Sequence, residues 1–313
     1  MEYDVLVIGS GPAGNSAAIY AVRSGLKTAM VRGQQPGGQL TITTEVENYP
    51  GFAEPIQGPW LMEQMEAQTK NCGAEIISDY ISKVDFKTEA GQLHEVHGEN
   101  STYKAKSVVI ATGASAKWLG IDAEAKFNGR GVSGCATCDG AFYRNQVVGV
   151  VGGGSTAMEE ALYLSKIAKE VHLIHRNDAF KSEVVLLEKA KKTENIKFHT
   201  FRQLVDLEGQ DGPLGGVDAA ILEDPRDGSR ETITMTGVFI AIGHKPNTDI
   251  FKGVLDMDAV GFLEVEKGTA NTKLPGVFAA GDVADPIYRQ AVVAAGTGCI
   301  AALDAHKYIE NNF

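Results

Sequence analysis

The chain has 313 residues, of which 43% are hydrophobic and 22% charged, enough for two ordinary domains of a globular protein. Its formal net charge of -11 argues against binding to nucleic acid or to an anionic membrane surface, because both favour basic proteins. The apolar runs are too short to span a bilayer, and the first strand follows Met1 without a basic and apolar leader, so we expect no signal peptide and a cytoplasmic location.

The chain begins with a strand–turn–helix–strand unit. Residues 4–8 form a short apolar strand, and a helix is predicted from Ser16 to Ser24, followed by a second strand from Lys27 to Val31. The turn between the first strand and the helix reads Gly9-Ser10-Gly11-Pro12-Ala13-Gly14. This G-x-G-x-x-G spacing is typical of dinucleotide binding, because the glycines allow a tight turn and let the backbone approach a pyrophosphate. A single copy is a weak indication, since similar turns can bind nothing.

The same pattern recurs in the middle of the chain. A strand at Gln146–Val151 leads into a helix predicted at Met158–Ala168 and a strand at Glu170–Ile174. The turn reads Gly152-Gly153-Gly154-Ser155-Thr156-Ala157. Because both copies lie between a strand and a helix, we predict two nucleotide-binding units.

Neither unit has the acidic residue that usually binds the ribose about 20 residues further on. The second strands end instead at Arg32 and at His175-Arg176. A cation at this position can pair with a 2′-phosphate, so the second unit is predicted to favour NADP(H) over NAD(H), with Lys181 adding charge.

Two further strand–glycine signals frame the second unit. Residues 107–110 run into Ala111-Thr112-Gly113, and residues 237–242 run into Gly243-His244-Lys245-Pro246-Asn247. We interpret both as crossings between domains. The predicted fold class is α/β, with two Rossmann-like dinucleotide-binding domains of three layers (ββα), the second inserted in the first. Residues 1–113 and 246–313 form the first domain, which ends with a strand at 277–280 and a helix at 291–309, and residues 114–245 form the second.

Cys135 and Cys138 form a C-x-x-C between the first domain and the second glycine turn. This spacing favours a reducible disulfide, whereas Cys72 and Cys299 are interpreted as structural. No second pair of cysteine or histidine ligands accompanies it, so no metal site is predicted. Asp139 can serve as an acid or base for the thiols, or equally as a helix-cap or turn residue. Two nucleotide units and one C-x-x-C are the parts needed for a relay from a nicotinamide through a flavin to a disulfide.

With these motifs the sequence resembles the low-molecular-weight thioredoxin reductases over nearly its whole length. The resemblance rests on residues 9–14, 37–40, 47–51, 111–113, 135–140, 152–157, 175–176, 243–247, 281–282 and 289–291. It implies a homodimeric thioredoxin-disulfide reductase that passes a hydride from NADPH to FAD, then electrons to the Cys135–Cys138 disulfide, then to thioredoxin by dithiol–disulfide exchange. It also implies that the inserted domain rotates about hinges near Gly113 and Gly243.

The resemblance assigns a role to each group of residues. The FAD-binding residues that it implies are Gly9, Ser10, Gly11, Pro12, Ala13, Gly14, Gly38, Gln39, Leu40, Asn48, Ala111, Thr112, Gly113, Gly281, Asp282, Arg289, Gln290 and Ala291. The NADPH-binding residues that it implies are Gly152, Gly154, Ser155, Thr156, His175, Arg176 and Lys181. Cys138 would be the sulfur nearest the flavin, Cys135 the sulfur that exchanges with the partner, and Asp139 the proton-transfer acid.

The sequence departs from the family pattern at three places. Asn177 and Lys181 replace arginines, which predicts weaker 2′-phosphate binding and leaves the preference for NADPH over NADH open. Ala141 precedes Phe142 where the family usually has two aromatic residues, which bears on docking of the protein substrate. Ser155 stands where an aspartate or asparagine is common.

Other functions remain open at this point. A reductase of a different thioredoxin-like partner would share every cofactor site and differ only in its docking surface. An oxygen-using flavin dithiol oxidase would bind no nicotinamide, and the retained second glycine turn and Arg176 argue against it. A non-enzymatic flavin-binding or redox-sensing protein would not need C-x-x-C followed by Asp139, and ferredoxin–NADP reductases lack the cysteine pair.

Overall fold

The computed structural model describes residues 1–42, 45–212 and 215–313. Up to the first crossing, the elements are β1 Glu2–Ile8, α1 Pro12–Arg23, β2 Thr28–Val31, β3 Glu45–Val46, β4 Ile56–Gln57, α2 Gly58–Cys72, β5 Glu75–Ile77, β6 Ile81–Asp85, β7 His94–Gly98, β8 Thr102–Ile110 and β9 Ala114–Ala116. They continue with α3 Asp122–Phe127, β10 Val132–Ser133, α4 Ala136–Asp139, β11 Val147–Val151, α5 Ser155–Leu164, β12 Glu170–His175, α6 Val184–Lys191, β13 Ile196–Thr200, β14 Gln203–Gly209, β15 Val217–Glu223, β16 Arg230–Thr234, β17 Gly237–Ile240, β18 His244–Pro246, β19 Val277–Ala279 and α7 Ala291–Asn312. In the described ranges, no helix combines the length and the apolar character needed to cross a membrane.

The chain divides into two compact units. Unit 1 comprises Met1–Ser115 with Lys245–Phe313, and unit 2 comprises Ala116–His244. Unit 2 is therefore inserted into the sequence of unit 1. The two crossings coincide with β9 and β18, which pair as a two-stranded sheet.

Unit 1 is built on a mixed sheet with the strand order β5-β2-β1-β8-β7-β6, in which β19 also pairs with β8. Strand β1 runs parallel to β2 and β8. Its side chains alternate between two apolar clusters: Val5 and Val7 pack with α1 and α7, whereas Leu6 and Ile8 pack with residues of β6 and β7. A strand buried on both faces in this way reads as a continuous apolar run, as residues 5–8 do.

Small residues let α1 and α7 approach closely. A Cβ atom at Gly298 would lie 2.1 Å from the carbonyl oxygen of Ala13, and Ala17 and Ala301 are fully buried nearby. The abundance of alanine and glycine in the last helix is therefore a packing requirement of unit 1. This helix ends at Asn312, slightly beyond the predicted end at Ile309.

Unit 2 contains a parallel sheet, β10-β17-β11-β12-β13, and an antiparallel sheet, β14-β15-β16. On one face of the parallel sheet Val148 and Val150 pack against Met158 of α5, and on the other Val151 belongs to the cluster that contains Leu222 of β15. Helices, parallel sheet and antiparallel sheet thus form three layers. The predicted fold class, two Rossmann-like α/β units with one inserted in the other, is confirmed.

Both helices that follow the glycine turns begin earlier than predicted. Helix α1 begins at Pro12 rather than Ser16, and α5 begins at Ser155 rather than Met158. Proline is tolerated at the first helical position, because its missing N–H has no partner within the helix anyway. As a result, the last residues of each glycine turn form the first turn of the helix and leave their backbone N–H groups available to an anion.

Two glycines of the parallel sheet in unit 2 provide a matched stability test. A Cβ at Gly237 would lie 2.3 Å from the Tyr143 ring, which packs edge-on against Phe239, whereas a Cβ at Gly149 would lie 2.8 Å from the flexible Met235 thioether. We expect Gly237→Ala to lower the free energy of unfolding by about 2–3 kcal/mol, and Gly149→Ala to lower it by less than about 1 kcal/mol. Scanning calorimetry of both variants measures the difference, and equal losses would contradict this account of the packing.

Candidate active site

Cys135 and Cys138 form a disulfide, with the two sulfurs 2.08 Å apart. Cys135 immediately precedes the short helix α4, and its carbonyl oxygen accepts hydrogen bonds from the N–H groups of Cys138 and Asp139, at 3.3 and 3.1 Å. Both cysteines are partly exposed, and the hydroxyl of Thr137 lies 3.4 Å from the Cys135 sulfur. One turn of helix therefore holds the two sulfurs together. Cys72 and Cys299 are free thiols.

Asp139 lies beside this disulfide in a largely buried position. Burial raises the pKa of its carboxyl above the ordinary value, and a hydrogen bond with Ser133 opposes part of that rise. Within the described residues its Oδ1 atom is buried without a hydrogen-bond partner. A carboxyl with a raised pKa keeps its proton closer to neutral pH, which suits an acid that protonates a leaving thiolate.

Ser133 also contributes to this site, although the sequence did not identify it. Its side chain is buried, and its Oγ accepts a hydrogen bond from the Cys135 N–H at 3.0 Å. Since Ser133 lies in β10 and pairs with Phe239 of β17, it fixes the cysteine segment to the parallel sheet. A serine two residues before a cysteine is too common a pattern to have predicted this role.

After the cysteines, Ala141 and Phe142 lie in a 3-10 segment, Gly140–Tyr143. Ala141 is exposed and Phe142 is half-buried. The departure from two aromatic residues therefore reduces the apolar surface near the disulfide on the exposed side of this segment.

The first glycine turn lies at the carboxyl end of β1 in unit 1. Gly9 has a φ of 112°, and a Cβ there would lie 2.2 Å from the carbonyl oxygen of Ala111. A Cβ at Gly14 would lie 2.0 Å from the Gly9 carbonyl oxygen, whereas nothing lies within 4 Å of the corresponding point at Gly11. Gly9 and Gly14 are thus required by packing, and Gly11 leaves its side of the turn open to a ligand.

Several predicted residues of unit 1 meet at this turn. The N–H of Gly37 donates to Ser10 Oγ at 2.9 Å. Gly38 lies close to Gly11, since a Cβ built at Gly38 would be 3.6 Å from the Cα of Gly11. Gln39 and Leu40 follow in the 3-10 segment Gly38–Ile42.

Asn15, a residue that the sequence did not single out, braces the first turn from within. Its buried side-chain amide donates to the carbonyl oxygen of Ser10 at 2.7 Å, and its Oδ1 accepts from the Thr69 hydroxyl at 2.7 Å. A buried asparagine in the first turns of an apolar helix was the signal available, because buried polar groups require partners.

Asp282 and its neighbours form a second part of the predicted flavin site. Burial, reinforced by the charge of Asp285 and opposed by Arg289, raises the pKa of the Asp282 carboxyl to about 6. Gly281 donates its N–H to Thr297 Oγ1 of α7 at 2.9 Å, which holds this segment against the helix. A half-buried carboxyl of this kind is suited to accept hydrogen bonds from ligand hydroxyls.

The segment before α7 carries Arg289, Gln290 and Ala291. The Asp285 carboxylate accepts the N–H of Arg289 at 2.9 Å, and Arg289 has a φ of 49°, in the left-handed region. The side chain of Asn48 donates to that of Gln290 at 3.4 Å, so two distant predicted residues are neighbours.

Asn247 ties the second crossing to the first within unit 1. Thr112 Oγ1 donates to the Asn247 carbonyl oxygen at 2.8 Å, and the Asn247 amide returns a bond to the Thr112 carbonyl oxygen at 2.9 Å. Within unit 2, the N–H of Lys117 donates to the Gly243 carbonyl oxygen at 2.9 Å. Each crossing segment is therefore held to the other on both sides of the unit boundary.

The second glycine turn, in unit 2, repeats the packing of the first. A Cβ at Gly152 would lie 2.3 Å from the carbonyl oxygen of Ala241. The nearest atom to a Cβ at Gly154 would be 3.9 Å away. Gly153 lies under the His175 imidazole, which a Cβ would approach to 2.2 Å. Burial lowers the pKa of His175, whose ring also contacts Phe180 at 4.9 Å between centroids.

The segment after His175 returns to this turn with two exposed cations. Arg176 and Lys181 are both solvent-exposed, and the N–H of Lys181 donates to the carbonyl oxygen of Gly153 at 2.7 Å. The structure therefore fixes the backbone of Lys181 on the turn that precedes α5, and Arg176 lies in the same exposed segment. Positive charge next to a helix N-terminus favours a phosphate ligand.

One group of potential metal ligands lies elsewhere, on β6 and β7. Atoms of Asp85, Glu95 and His97 lie within 4.8 Å of one another. Glu95 already pairs with Lys104 at 3.1 Å, so part of its charge is compensated by a cation of the same sheet. None of these three residues is a predicted cofactor residue, and the expectation of no metal site stays a prediction.

Comparison with known proteins places the chain in a family. A model of the pyridine nucleotide-disulphide oxidoreductases matches residues 3–298. A thioredoxin reductase of Rickettsia conorii is 52% identical over 305 residues, which cover 97% of each chain, and one of Escherichia coli O157:H7 is 50% identical over 314 residues, covering 98% of this chain and 96% of the relative. The solved structure of a thioredoxin reductase from Giardia duodenalis superposes with a TM-score of 0.92 at 37% identity over 99% of both chains. With its paired glycine turns and its C-x-x-C disulfide, the chain belongs to the thioredoxin reductase group of the pyridine nucleotide-disulphide oxidoreductase family.

Proposed function

We propose that this protein is an NADPH-dependent thioredoxin reductase with FAD as its flavin. The observation that carries the proposal is the Cys135–Cys138 disulfide, with Asp139 beside it, in a unit that also holds a nucleotide-type glycine turn. The sequence identity of about half to thioredoxin reductases over nearly the whole chain supports the same protein substrate.

Unit 1, corresponding to the predicted domain 1–113 and 246–313, is proposed to bind FAD. The N–H groups after Gly11 would bind the pyrophosphate, and Asp282 would accept a hydrogen bond from a ribityl hydroxyl. The open space at Gly11 and the half-buried carboxyl of Asp282, whose pKa is raised, fit this cofactor. A flavin supplies the chemistry that connects a two-electron hydride donor to a disulfide.

Unit 2, corresponding to the predicted domain 114–245, is proposed to bind NADPH. Gly152, Gly154 and Thr156 would meet the pyrophosphate at the start of α5. Arg176 and Lys181 would pair with the 2′-phosphate, and a lysine in place of an arginine loses the bidentate fork. We therefore infer a preference for NADPH over NADH that is real but moderate.

The reaction of the thiols follows from their positions. Once the disulfide is reduced, the Cys135 thiolate would attack the disulfide of thioredoxin and release one of its sulfurs as a thiolate. The Cys138 thiolate would then attack Cys135, which re-forms the internal disulfide and releases the second thioredoxin sulfur. Asp139 would donate a proton to a departing thiolate, because its raised pKa lets it hold that proton.

The protein is further proposed to be a cytoplasmic homodimer. Helix α7 carries Val292, Ile300 and Leu303 at a helical spacing, and these side chains are 44%, 39% and 49% exposed. An apolar stripe on a long helix is an unusual surface for a monomer, and a second copy of the chain would cover it.

The central prediction concerns the cysteine pair. Purified protein should be yellow and should oxidise NADPH when oxidised thioredoxin is added, and NADH more slowly. Cys135→Ser and Cys138→Ser should each abolish the thioredoxin-dependent rate, whereas Cys72→Ser should keep it. Nicotinamide absorbance measures each rate. Flavin-bound protein that consumes neither nucleotide would overturn the proposal and favour an oxygen-using dithiol oxidase.

Asp139→Asn tests the proposed acid. We expect the thioredoxin-dependent rate to fall by about 100-fold or more, since an amide cannot act as the acid that protonates a departing thiolate. In the unmodified enzyme the rate should decline as pH rises through the raised pKa of Asp139, because only the protonated carboxyl acts as the acid. A pH–rate profile of both proteins measures this. A variant with the same alkaline decline would assign that decline to another group.

Leu303→Asp tests the dimer. A carboxylate at the centre of an apolar contact would be desolvated without a partner, so we expect the variant to sediment as a monomer. Analytical ultracentrifugation compares it with the unmodified protein and with Val260→Asp, which replaces another exposed apolar residue outside α7. A dimer that survives Leu303→Asp would remove α7 from the proposed contact.

A further inference from the structure

The 176–183 loop is tied to the second glycine turn by its backbone. The N–H of Lys181 donates to the carbonyl oxygen of Gly153 at 2.7 Å, and Lys181 also forms an isolated bridge with Gly154. Two residues further on, the N–H of Glu183 donates to Ser155 Oγ at 3.1 Å. The bond to Ser155 uses a side chain, so a substitution can remove it without touching the loop.

Ser155 occupies a defined position in this arrangement. It is the first residue of α5, and Gly154 before it is the N-cap of that helix. Its oxygen accepts the Glu183 N–H, while its own O–H remains a donor. Its hydroxyl can therefore act on the loop, on a pyrophosphate at the helix N-terminus, or on both, and these roles have different consequences for ligands.

The loop that Ser155 holds carries the two cations of the site. Arg176 and Lys181 are exposed and have long side chains, which lose conformational freedom when they bind an anion. A backbone already fixed next to the turn lowers this cost, because fewer positions must be ordered on binding. This matters more with lysine at 181, since a point charge lacks the planar fork that helps an arginine orient on phosphate.

We propose that Ser155 is a positioning residue for recognition of the nucleotide 2′-phosphate, and that its hydroxyl acts by holding the 176–183 loop on the glycine turn. The proposal rests on NADPH being the nucleotide of unit 2. It gives a specific role to the serine that replaces the family's usual aspartate or asparagine.

Two nucleotides separate the possible roles. Adenosine 2′,5′-bisphosphate has the 2′-phosphate but no pyrophosphate, whereas ADP has the pyrophosphate but no 2′-phosphate. Isothermal titration of each into the flavin-containing protein measures binding without any turnover. Ser182→Ala is the matched control, because the Ser182 hydroxyl bonds within the loop, to the Glu183 carbonyl oxygen at 3.3 Å, and not to the turn.

We expect Ser155→Ala to weaken adenosine 2′,5′-bisphosphate about three- to tenfold, the effect of losing one hydrogen bond that orders the site. ADP affinity should change by less than about twofold, since the turn itself is intact. Ser155→Thr, which keeps the hydroxyl, should restore bisphosphate binding, and Ser182→Ala should leave both affinities unchanged.

Either of two results would overturn the proposal. Equal or greater loss of ADP binding in Ser155→Ala would assign the hydroxyl to the pyrophosphate, and unchanged binding of both nucleotides would assign it no role. Retained ADP binding also establishes that the variant is folded. If the unmodified protein binds the bisphosphate no better than 5′-AMP, the NADPH assignment itself fails, which is a separate outcome from failure of Ser155.

Discussion

In both units, a backbone carbonyl oxygen occupies the place where the first glycine of the nucleotide turn would carry a side chain. The carbonyl of Ala111 fills it at Gly9, and the carbonyl of Ala241 fills it at Gly152, at 2.2 and 2.3 Å from the Cβ position. Both carbonyls belong to residues just after a parallel strand adjacent to the one that precedes the turn. The contact between the first glycine of each turn and the backbone after the neighbouring strand therefore fixes the path of the turn and the start of the following helix.

The position of this contact also determines which residues meet at the nucleotide turn of each unit. Because the turn is packed against the neighbouring strand, α1 and α5 each begin at the carboxyl edge of their sheet, with the first N–H groups of the helix unused by the helix itself. In unit 1 the same edge receives Gly38, Gly281 and the start of α7, and a shared hydrogen bond joins Asn48 to Gln290. In unit 2 it receives the cation-bearing loop. The motif that occurs twice in the sequence thus corresponds to the same packing of a glycine turn against a neighbouring strand in both units.

The redox site depends on a different balance, between burial and solvent access. The sulfurs of Cys135 and Cys138 stay partly exposed, whereas Asp139 is sufficiently buried for its pKa to rise. Ser133 limits that rise and at the same time fixes the cysteine segment to β10. One turn of helix therefore places a carboxyl with a raised pKa next to two partly exposed sulfurs.

The sequence by itself determined the two Rossmann-like units, their order and the reactive pair, because glycine spacing, apolar strands and C-x-x-C are local patterns with few alternative structures. It did not determine the helix starts, which depend on where the turn packs, nor the hydrogen bond between Asn15 and Thr69, which are 54 residues apart in sequence. The role of Ser133 is local, but a serine two residues before a cysteine is too common a pattern to predict it. Nor could it decide what Ser155 contacts. Glu183 lies 28 residues away in sequence and reaches the Ser155 hydroxyl only because β12 lies beside β11 in the parallel sheet, so that the loop after β12 returns to the turn that follows β11. Hydrogen bonds between residues distant in sequence leave no periodic pattern, and for that reason only the tertiary structure decided them.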